Sequence, residues 1–358
     1  MGYNMWINKI KINNFRNYKQ EEINLDKNIN LFYGENAQGK TNIIEAIFLG
    51  SMGKSFRAKK DSEMINLNSN NAQVEIEYKK SDREGKIKIE LNQKKNIYYN
   101  GIKLKKLSEL LGKINIVIFT PDDINILKNG PQNRRRFLDI MISQLKPNYM
   151  YHLNLYKKTL EQRNHYIRQI REEKKDEKLL EIWDEKLIEH AEIIYEYRKE
   201  YIEKIQEKIK KIHSEITNKK EEIEIEYVSE CTSKEIYRNL LKERRKLDII
   251  KGYTTKGIHR DDFIIYINKK QLEIYGSQGQ HRTAILSLKL AELNIVREEI
   301  GENPILLLDD FMSELDETRI KSFLEKINDT QVIITCTEKI SIENKEILIY
   351  NVKEGSIQ

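Results

Sequence analysis

The chain has 358 residues, of which 39% are hydrophobic and 34% charged, with a formal net charge of +6. No apolar run approaches the ~18 residues of a membrane span. The N-terminal segment contains Lys9 and Lys11 and lacks the continuous apolar stretch of a signal peptide. Cys231 and Cys336 are isolated, without metal-ligand spacing or a disulfide framework. We therefore expect a cytoplasmic protein, whose mild positive charge permits nucleic-acid binding without requiring it.

The N-terminal part predicts strands that lead into a phosphate-binding loop. Isoleucines between residues 7 and 12 and the apolar run at 29–33 are typical of strands, and apolar residues at helical spacing follow from 41 to 49. Between them Gly34–Thr41 reads GENAQGKT, which satisfies the P-loop pattern G-x-x-x-x-G-K-[ST]. A strand before the loop and a helix after it are the context that a true P-loop requires.

The P-loop predicts ATP and Mg²⁺ as cofactors. Backbone N–H groups of residues 35–40 are expected to surround the β-phosphate at the positive end of the helix. Lys40 is expected to bridge the β- and γ-phosphates, and the Thr41 hydroxyl to bind Mg²⁺. The nucleotide-binding residues expected here are Gly34, Glu35, Asn36, Ala37, Gln38, Gly39, Lys40, Thr41 and Asn42.

The middle of the chain predicts first antiparallel strands and then long helices. Apolar residues alternate from 74 to 99, and Asn100-Gly101 is a turn signal. After Pro147 there is no glycine or proline up to residue 220, and apolar residues recur at steps of three and four. We expect helices over about 149–173 and 180–216 that form an antiparallel arm about 50 Å long. A helical bundle lying on the core is the alternative.

Two later motifs carry further chemistry. Ser277-Gln278-Gly279-Gln280 opens a helical pattern, and a serine at a helix start with a glycine that allows close approach predicts a second anion site. Ile305–Asp310 is an apolar run closed by two carboxylates, as on a buried strand that presents acids to a cation. Asp309 is expected to hold Mg²⁺ and Asp310 to act as the general base, with helix capping as the alternative.

Clustered arginines are the candidates for DNA contact. Arg134, Arg135 and Arg136 form the strongest basic cluster, although a solvated helix face explains them equally well. Arg57, shortly after the P-loop helix, could reach nucleotide or DNA, and Arg16 could approach phosphates. No recognition helix is evident, so we expect phosphate contacts that weaken with salt.

The whole set resembles the RecF family, DNA replication and recombinational repair ATPases related to the SMC proteins within the ABC class. The resemblance covers both ends of the chain and reaches into the arm. The stretches that carry it are 14–18, 34–42, 119–123, 134–139, 162–164, 259–263, 276–289 and 306–316.

The resemblance implies an α/β fold, with an ABC-type P-loop ATPase head assembled from residues 1–145 and 250–358. Residues 146–249 would form an inserted helical, short coiled-coil arm domain. It makes residues 277–280 the signature motif and Ser313–Asp316 a loop at a dimer interface. Three departures from the ABC pattern stand out: Cys336 replaces the switch histidine, Thr120-Pro121-Asp122 replaces the glutamine loop, and Asp310 replaces the usual glutamate base. The shorter reach of Asp310 predicts slow hydrolysis.

The resemblance also implies a weak, DNA-dependent ATPase that forms an ATP-driven homodimer on double-stranded DNA near single-strand gaps. RecR, alone or with RecO, is the implied partner, and RecA loading the implied outcome. A structural chromosome ATPase of the SMC type is the main alternative, disfavoured because SMC arms run to hundreds of residues. The long insertion and the arginine cluster argue against a transporter's nucleotide-binding subunit. A nuclease fits less well, because the sequence has no second acidic cluster suited to cutting phosphodiesters.

Overall fold

A computed structural model describes residues 5–80, 83–310, 329–339 and 346–358. The chain forms two compact units, one of Met1–Asp123 with Lys289–Gln358 and the other of Ile124–Leu288. These boundaries differ from the expected ones at 145/146 and 249/250. Residues 131–145 pack against both long helices, and residues 262–267 pair with residues 223–228, so these segments belong to the second unit.

The strands and helices follow the chain in an order that we use for numbering. The strands are β1 Met5–Phe15, β2 Tyr18–Asn24, β3 Ile29–Tyr33, β4 Ala72–Lys80, β5 Arg83–Leu91, β6 Asn96–Tyr99, β7 Ile102–Lys103, β8 Ile116–Phe119, β9 Ile223–Val228, β10 Asp262–Ile267, β11 Lys270–Gln271, β12 Ile305–Asp309, β13 Val332–Cys336, β14 Ile347–Lys353 and β15 Ser356–Ile357. The helices are α1 Lys40–Met52, α2 Ile124–Lys128, α3 Pro131–Leu145, α4 Pro147–Glu173, α5 Leu180–Ile216, α6 Lys234–Lys251, α7 Leu272–Tyr275 and α8 Gln278–Ile300.

The first unit is built on a six-stranded sheet of order β15-β14-β3-β13-β12-β8, parallel except at β15. Strands β8, β12 and β13 are buried along their whole length, which explains their near-continuous aliphatic sequences. Helix α1 packs on β12 and β13. The strand–loop–helix context of the P-loop is confirmed, and because β3 and β12 run parallel, both of their carboxyl ends lie at the same edge of the sheet.

A second six-stranded sheet of the first unit, antiparallel and of order β2-β1-β4-β5-β6-β7, accounts for the alternating segments. The strands expected between 74 and 99 are confirmed as β4, β5 and β6. Asn100 and Gly101 form the tight turn that joins β6 to β7, both with positive φ of 48° and 81°.

In the second unit α4 and α5 pair as the expected helical hairpin, and α6 packs against both. A cluster of Tyr166, Ile167, Ile170 and Leu180 fills the end of the hairpin where the two helices connect. A three-stranded sheet of order β11-β10-β9 packs on α5. None of the helices among the described residues is long and apolar enough to cross a bilayer.

Arg198 interrupts the apolar stripe of α5 and is nevertheless buried. Its guanidinium pairs with Asp139 at 2.9 Å and with Asp261 at 3.2 Å. Arg163 of α4 is likewise buried and pairs with Asp184 at 2.6 Å and Asp248 at 2.8 Å. Buried charges need such partners, because leaving one unpaired is costly. The interior of the second unit is therefore organised around two arginine-centred networks.

Candidate nucleotide-binding site

The P-loop follows β3 and ends at the first residue of α1. Gly39 has φ of 118°, a region that residues with a Cβ avoid, and a Cβ there would lie 2.6 Å from Nδ2 of Asn17. The Lys40 ammonium donates to the carbonyl oxygens of Gly34 at 2.7 Å and Glu35 at 2.9 Å. The loop therefore wraps around its own lysine, with the amino end of α1 beside it.

Two elements distant in sequence hold the P-loop. Asn17 donates through Nδ2 to the Gln38 carbonyl at 2.8 Å and accepts through Oδ1 from Nδ2 of Asn42 at 2.6 Å. From the β14–β15 turn, the N–H of Gly355 donates to the Gln38 carbonyl at 3.0 Å, and that of Glu354 to Gln38 Oε1 at 2.6 Å. Sequence reasoning missed the C-terminal turn entirely, and it quoted Asn17 only as part of a family stretch.

Asp309 ends β12 next to the P-loop. Its Oδ1 accepts from the Thr41 hydroxyl at 2.9 Å and from the Thr335 hydroxyl at 2.8 Å. Burial raises the pKa of Asp309 above its ordinary value, and the hydrogen bonds from Thr335 and Thr41 oppose that rise. A carboxylate held at this cost is suited to a cation, and Thr41 adds a second hard oxygen donor of the kind Mg²⁺ prefers. Sequence reasoning missed Thr335.

Asp310 lies on the wall of the cavity above the P-loop. Its φ is 45°, and its N–H donates to Oγ1 of Thr335 at 3.0 Å. The cavity measures 390 Å³ and is lined by Asn36, Ala37, Gly39, Lys40, Thr41, Asn42, Arg57 and Asp310. In the part of the chain that the structure describes, no group of three or more His, Cys, Asp or Glu side chains could hold a metal ion. The two oxygen donors of Thr41 and Asp309 would suit Mg²⁺, since it binds through few carboxylates and keeps water and phosphate ligands.

Arg16 and Arg57 share one buried carboxylate behind the cavity. Glu45 of α1 accepts from Nε and Nη2 of Arg16, each at 2.8 Å, and from Nη2 of Arg57 at 2.8 Å. Burial raises the pKa of Glu45, but hydrogen bonds from Arg16, Arg57 and Ser55 outweigh it and lower the pKa overall. The Arg57 side chain remains 35% exposed and also donates to Asn42. Glu45 thus anchors Arg57 at the cavity wall, a role that sequence reasoning missed.

The arginine cluster of the second unit divides into different environments. Arg134 is buried and pairs with Asp262 at 2.6 Å and Glu273 at 3.1 Å, so the expected DNA contact does not fit this residue. Arg135 is half-buried and donates to the Asp261 carbonyl at 2.6 Å. Arg136 is exposed. The sequence could not separate them, because three consecutive helix positions point in three directions.

The Ser277–Gln280 segment, also in the second unit, is the start of α8. Ser277 Oγ accepts from the Gln280 N–H at 3.2 Å, and Gln280 Oε1 accepts from the Ser277 N–H at 2.9 Å. This reciprocal pair is a capping box. Ser277, Gln278 and Gly279 are exposed, so the expected anion-binding groups face solvent.

The remaining ABC positions are only partly described. Cys336 closes β13 and donates through Sγ to the Glu338 carbonyl at 2.7 Å, and burial raises the pKa of its thiol to about 11. Thr120 follows β8, and its N–H donates to Asp123 at 2.9 Å. Ser313–Asp316 lie outside the described residues.

Comparisons with known proteins agree with this geometry. The model of the RecF/RecN/SMC N terminal domain family matches residues 6–357. DNA replication and repair protein RecF of Clostridium tetani is 45% identical over 95% of this chain and 94% of its own length. The corresponding protein of Acetivibrio thermocellus is 43% identical over 95% of each.

Solved structures point to the same family. The recombination mediator protein RecF-ATP in the RecFOR pathway superposes with a TM-score of 0.93 at 42% identity, over 100% of this chain and 98% of that one. The Smc head domain of Pyrococcus furiosus, at 19% identity and a TM-score of 0.57 over 99% of this chain and 95% of that one, shares the fold alone. The expected fold class, an α/β ABC-type ATPase head with a helical insertion, is confirmed. By the extent of these matches and the P-loop geometry, the chain belongs to the RecF family of ATPases.

Proposed function

We propose that this chain is an ATP-dependent DNA-binding protein of replication and recombinational gap repair. In this proposal ATP drives homodimerisation on double-stranded DNA at single-strand gaps, and slow hydrolysis releases the dimer. The observation that carries it is the 2.9 Å hydrogen bond between Thr41 and Asp309, which lie 268 positions apart. This hydrogen bond brings the P-loop and the acidic end of β12 together, as a phosphate and Mg²⁺ site would require. The RecF relatives, one of them a complex with ATP, support the same assignment.

Each residue of the site has a role in this proposal. The P-loop N–H groups and Lys40 bind the phosphates, while Thr41 and Asp309 hold Mg²⁺, which neutralises phosphate charge when bound. Asp310 faces the cavity as the general base that orients the attacking water. The ion pair with Glu45 keeps Arg57 directed toward the bound phosphates or toward DNA.

The second half of the site is supplied by another protomer in this proposal. Ser277–Gly279 form an exposed helix start, whose serine hydroxyl and the N–H groups of Gln278 and Gly279 suit the γ-phosphate of ATP bound to the partner protomer. Ser313–Asp316 would line the same interface. Arg57, Arg135 and exposed Arg136 are the candidate DNA contacts, and RecR with RecO would be the partners in RecA loading. The setting proposed is the cytoplasm.

Binding to a gapped duplex, with and without ATP, tests the proposal. Fluorescence anisotropy would report affinity and light scattering would report mass, for the wild type and Lys40→Ala. We expect ATP to double the mass and tighten DNA binding in the wild type, and neither effect in the variant. Lys27→Ala, which removes an exposed lysine before β3, is the matched control and should behave as the wild type. ATP binding without change in mass or DNA affinity would contradict ATP-driven dimerisation on DNA.

A further inference from the structure

A buried histidine lies at the end of the longest helix and contacts α8. His213 belongs to the last turn of α5 and is fully buried. Its Nδ1 lies 3.0 Å from Oγ of Ser287 in α8. The Ser287 hydroxyl already donates to the Thr283 carbonyl at 2.8 Å, so it accepts from His213, and Nδ1 carries the proton. The ring orientation is thereby fixed, with Nε2 on the opposite side.

The other ring nitrogen of His213 faces the carboxylate of Glu221, which also contacts the Ser277–Gln280 segment. Nε2 of His213 lies 3.3 Å from Oε2 of Glu221, which stands just before β9. The second carboxylate oxygen, Oε1, accepts from Nε2 of Gln280 at 2.9 Å. Gln280 in turn forms the capping box with Ser277. Hydrogen bonds therefore run from Glu221 through Gln280 to Ser277 at the exposed start of α8, whereas the buried Nε2 of His213 makes none with Glu221.

These hydrogen bonds engage both the oxygen and the nitrogen of the Gln280 side-chain amide. The amide oxygen of Gln280 is committed to the Ser277 N–H, which leaves the amide nitrogen free to donate elsewhere. Glu221 takes that donor, and because the acceptor is a carboxylate, the hydrogen bond is stronger than a neutral one. Without Glu221, the Gln280 amide can rotate away and release both the cap and the Ser277 backbone.

We propose that Glu221 is a positioning residue that fixes the Gln280 side chain and thereby the geometry of the Ser277–Gln280 segment. The proposal rests on the function proposed above for its use in hydrolysis, but the positioning itself does not depend on it.

Hydrogen exchange of residues 277–283 tests the positioning without nucleotide. Glu221→Ala should speed exchange of these amides by about tenfold, the effect of losing a hydrogen bond to a charged group. Glu221→Gln keeps an acceptor oxygen and should restore most of the protection. Glu226→Ala is the matched control, because it removes an exposed glutamate of β9 that bonds Tyr266 instead. Unchanged exchange in Glu221→Ala would overturn the proposal.

The catalytic consequence is measured separately. At saturating ATP, Glu221→Ala should hydrolyse about tenfold more slowly, with an ATP dissociation constant within about twofold of the wild-type value, because the P-loop is untouched. Parallel loss of ATP affinity would contradict a positioning role. If the wild type neither dimerises nor hydrolyses ATP, the proposed function fails, while the exchange result still decides the positioning proposal.

Discussion

The two compact units hold their functional segments by different means. In the first unit, parallel aliphatic strands deliver the P-loop and Asp309 to one sheet edge, and the backbone and a few buried hydroxyls fix them. In the second unit, side-chain hydrogen bonds of Gln280 hold the exposed start of α8. The interior of this unit is stabilised by buried ion pairs. A sheet edge is set by many hydrogen bonds at once, whereas a chain of side chains can be broken at a single link. We expect the second segment to be the more sensitive to distant substitutions.

The largest effect is expected where the second unit depends on buried charge. Arg163→Leu leaves Asp184 and Asp248 without their buried partner and should cost about 3–5 kcal/mol in the free energy of unfolding. Chemical denaturation followed by circular dichroism measures it. Arg168→Leu, at an exposed position of the same helix, should stay within about 0.5 kcal/mol of the wild type. Equal stability of the two variants would remove the contrast between the units.

Acid should weaken the second unit through His259. Burial lowers the pKa of His259 to about 4, and its Nδ1 lies 2.8 Å from the Tyr156 hydroxyl. In the unfolded chain His259 binds its proton with the ordinary pKa of 6.5, whereas in the folded chain it binds the proton only near pH 4. Stability is therefore lost as pH falls from 6.5 to 4, by at most about 3 kcal/mol.

His259→Gln isolates that contribution. Urea midpoints of this variant should vary less between pH 7 and pH 4.5 than those of the wild type. Exposed His165→Gln is the control and should keep the wild-type pH dependence. An unchanged slope in His259→Gln would show that this histidine is not the group responsible.

In the first unit, Thr335 is the link whose loss should matter most. Thr335→Val removes the donor to Asp309 and the acceptor for the Asp310 N–H, at a cost of about 1–3 kcal/mol in unfolding free energy. We also expect weaker Mg²⁺-dependent ATP binding, measurable by calorimetry with and without Mg²⁺. Thr337→Val, two positions on and exposed, should have neither effect. Wild-type metal dependence in Thr335→Val would contradict the role given to this hydroxyl.

The smallest effect is expected at Asn17. Asn17→Ala removes the hydrogen bonds to the Gln38 carbonyl and Asn42 and should lower ATP affinity by about tenfold, or ~1.4 kcal/mol. Because the sheet still delivers the P-loop, the unfolding free energy should change little. Titration with a fluorescent nucleotide measures this affinity. Asn24→Ala, at an exposed position of β2, is the control and should bind as the wild type does. If Asn17→Ala binds ATP as the wild type does, the backbone alone fixes the loop.

The features predictable from the sequence were those with a short-range signal. The P-loop, the apolar strand before Asp309 and the helical hairpin each have a local pattern, and all three are present in the structure. The side chains that hold functional segments in place have no such local pattern, because folding brings them to partners distant in sequence. Thr335 lies 26 positions from Asp309, Glu45 lies 12 positions from Arg57, and Glu221 lies 59 positions from Gln280. Arg134 shows the reverse case, since its basic neighbours suggested an exposed surface and burial beside Asp262 overrode it.

A mixing experiment tests the central claim that the two half-sites complete each other between protomers. Lys40→Ala disables the phosphate site of one protomer, and Ser277→Arg blocks the exposed helix start of the other. Each variant alone should hydrolyse almost no ATP, while an equimolar mixture should regain about a quarter of the wild-type rate, since random pairing leaves that fraction of composite sites intact. A mixture as inactive as its components, or a Ser277→Arg protein as active as the wild type, would contradict the account.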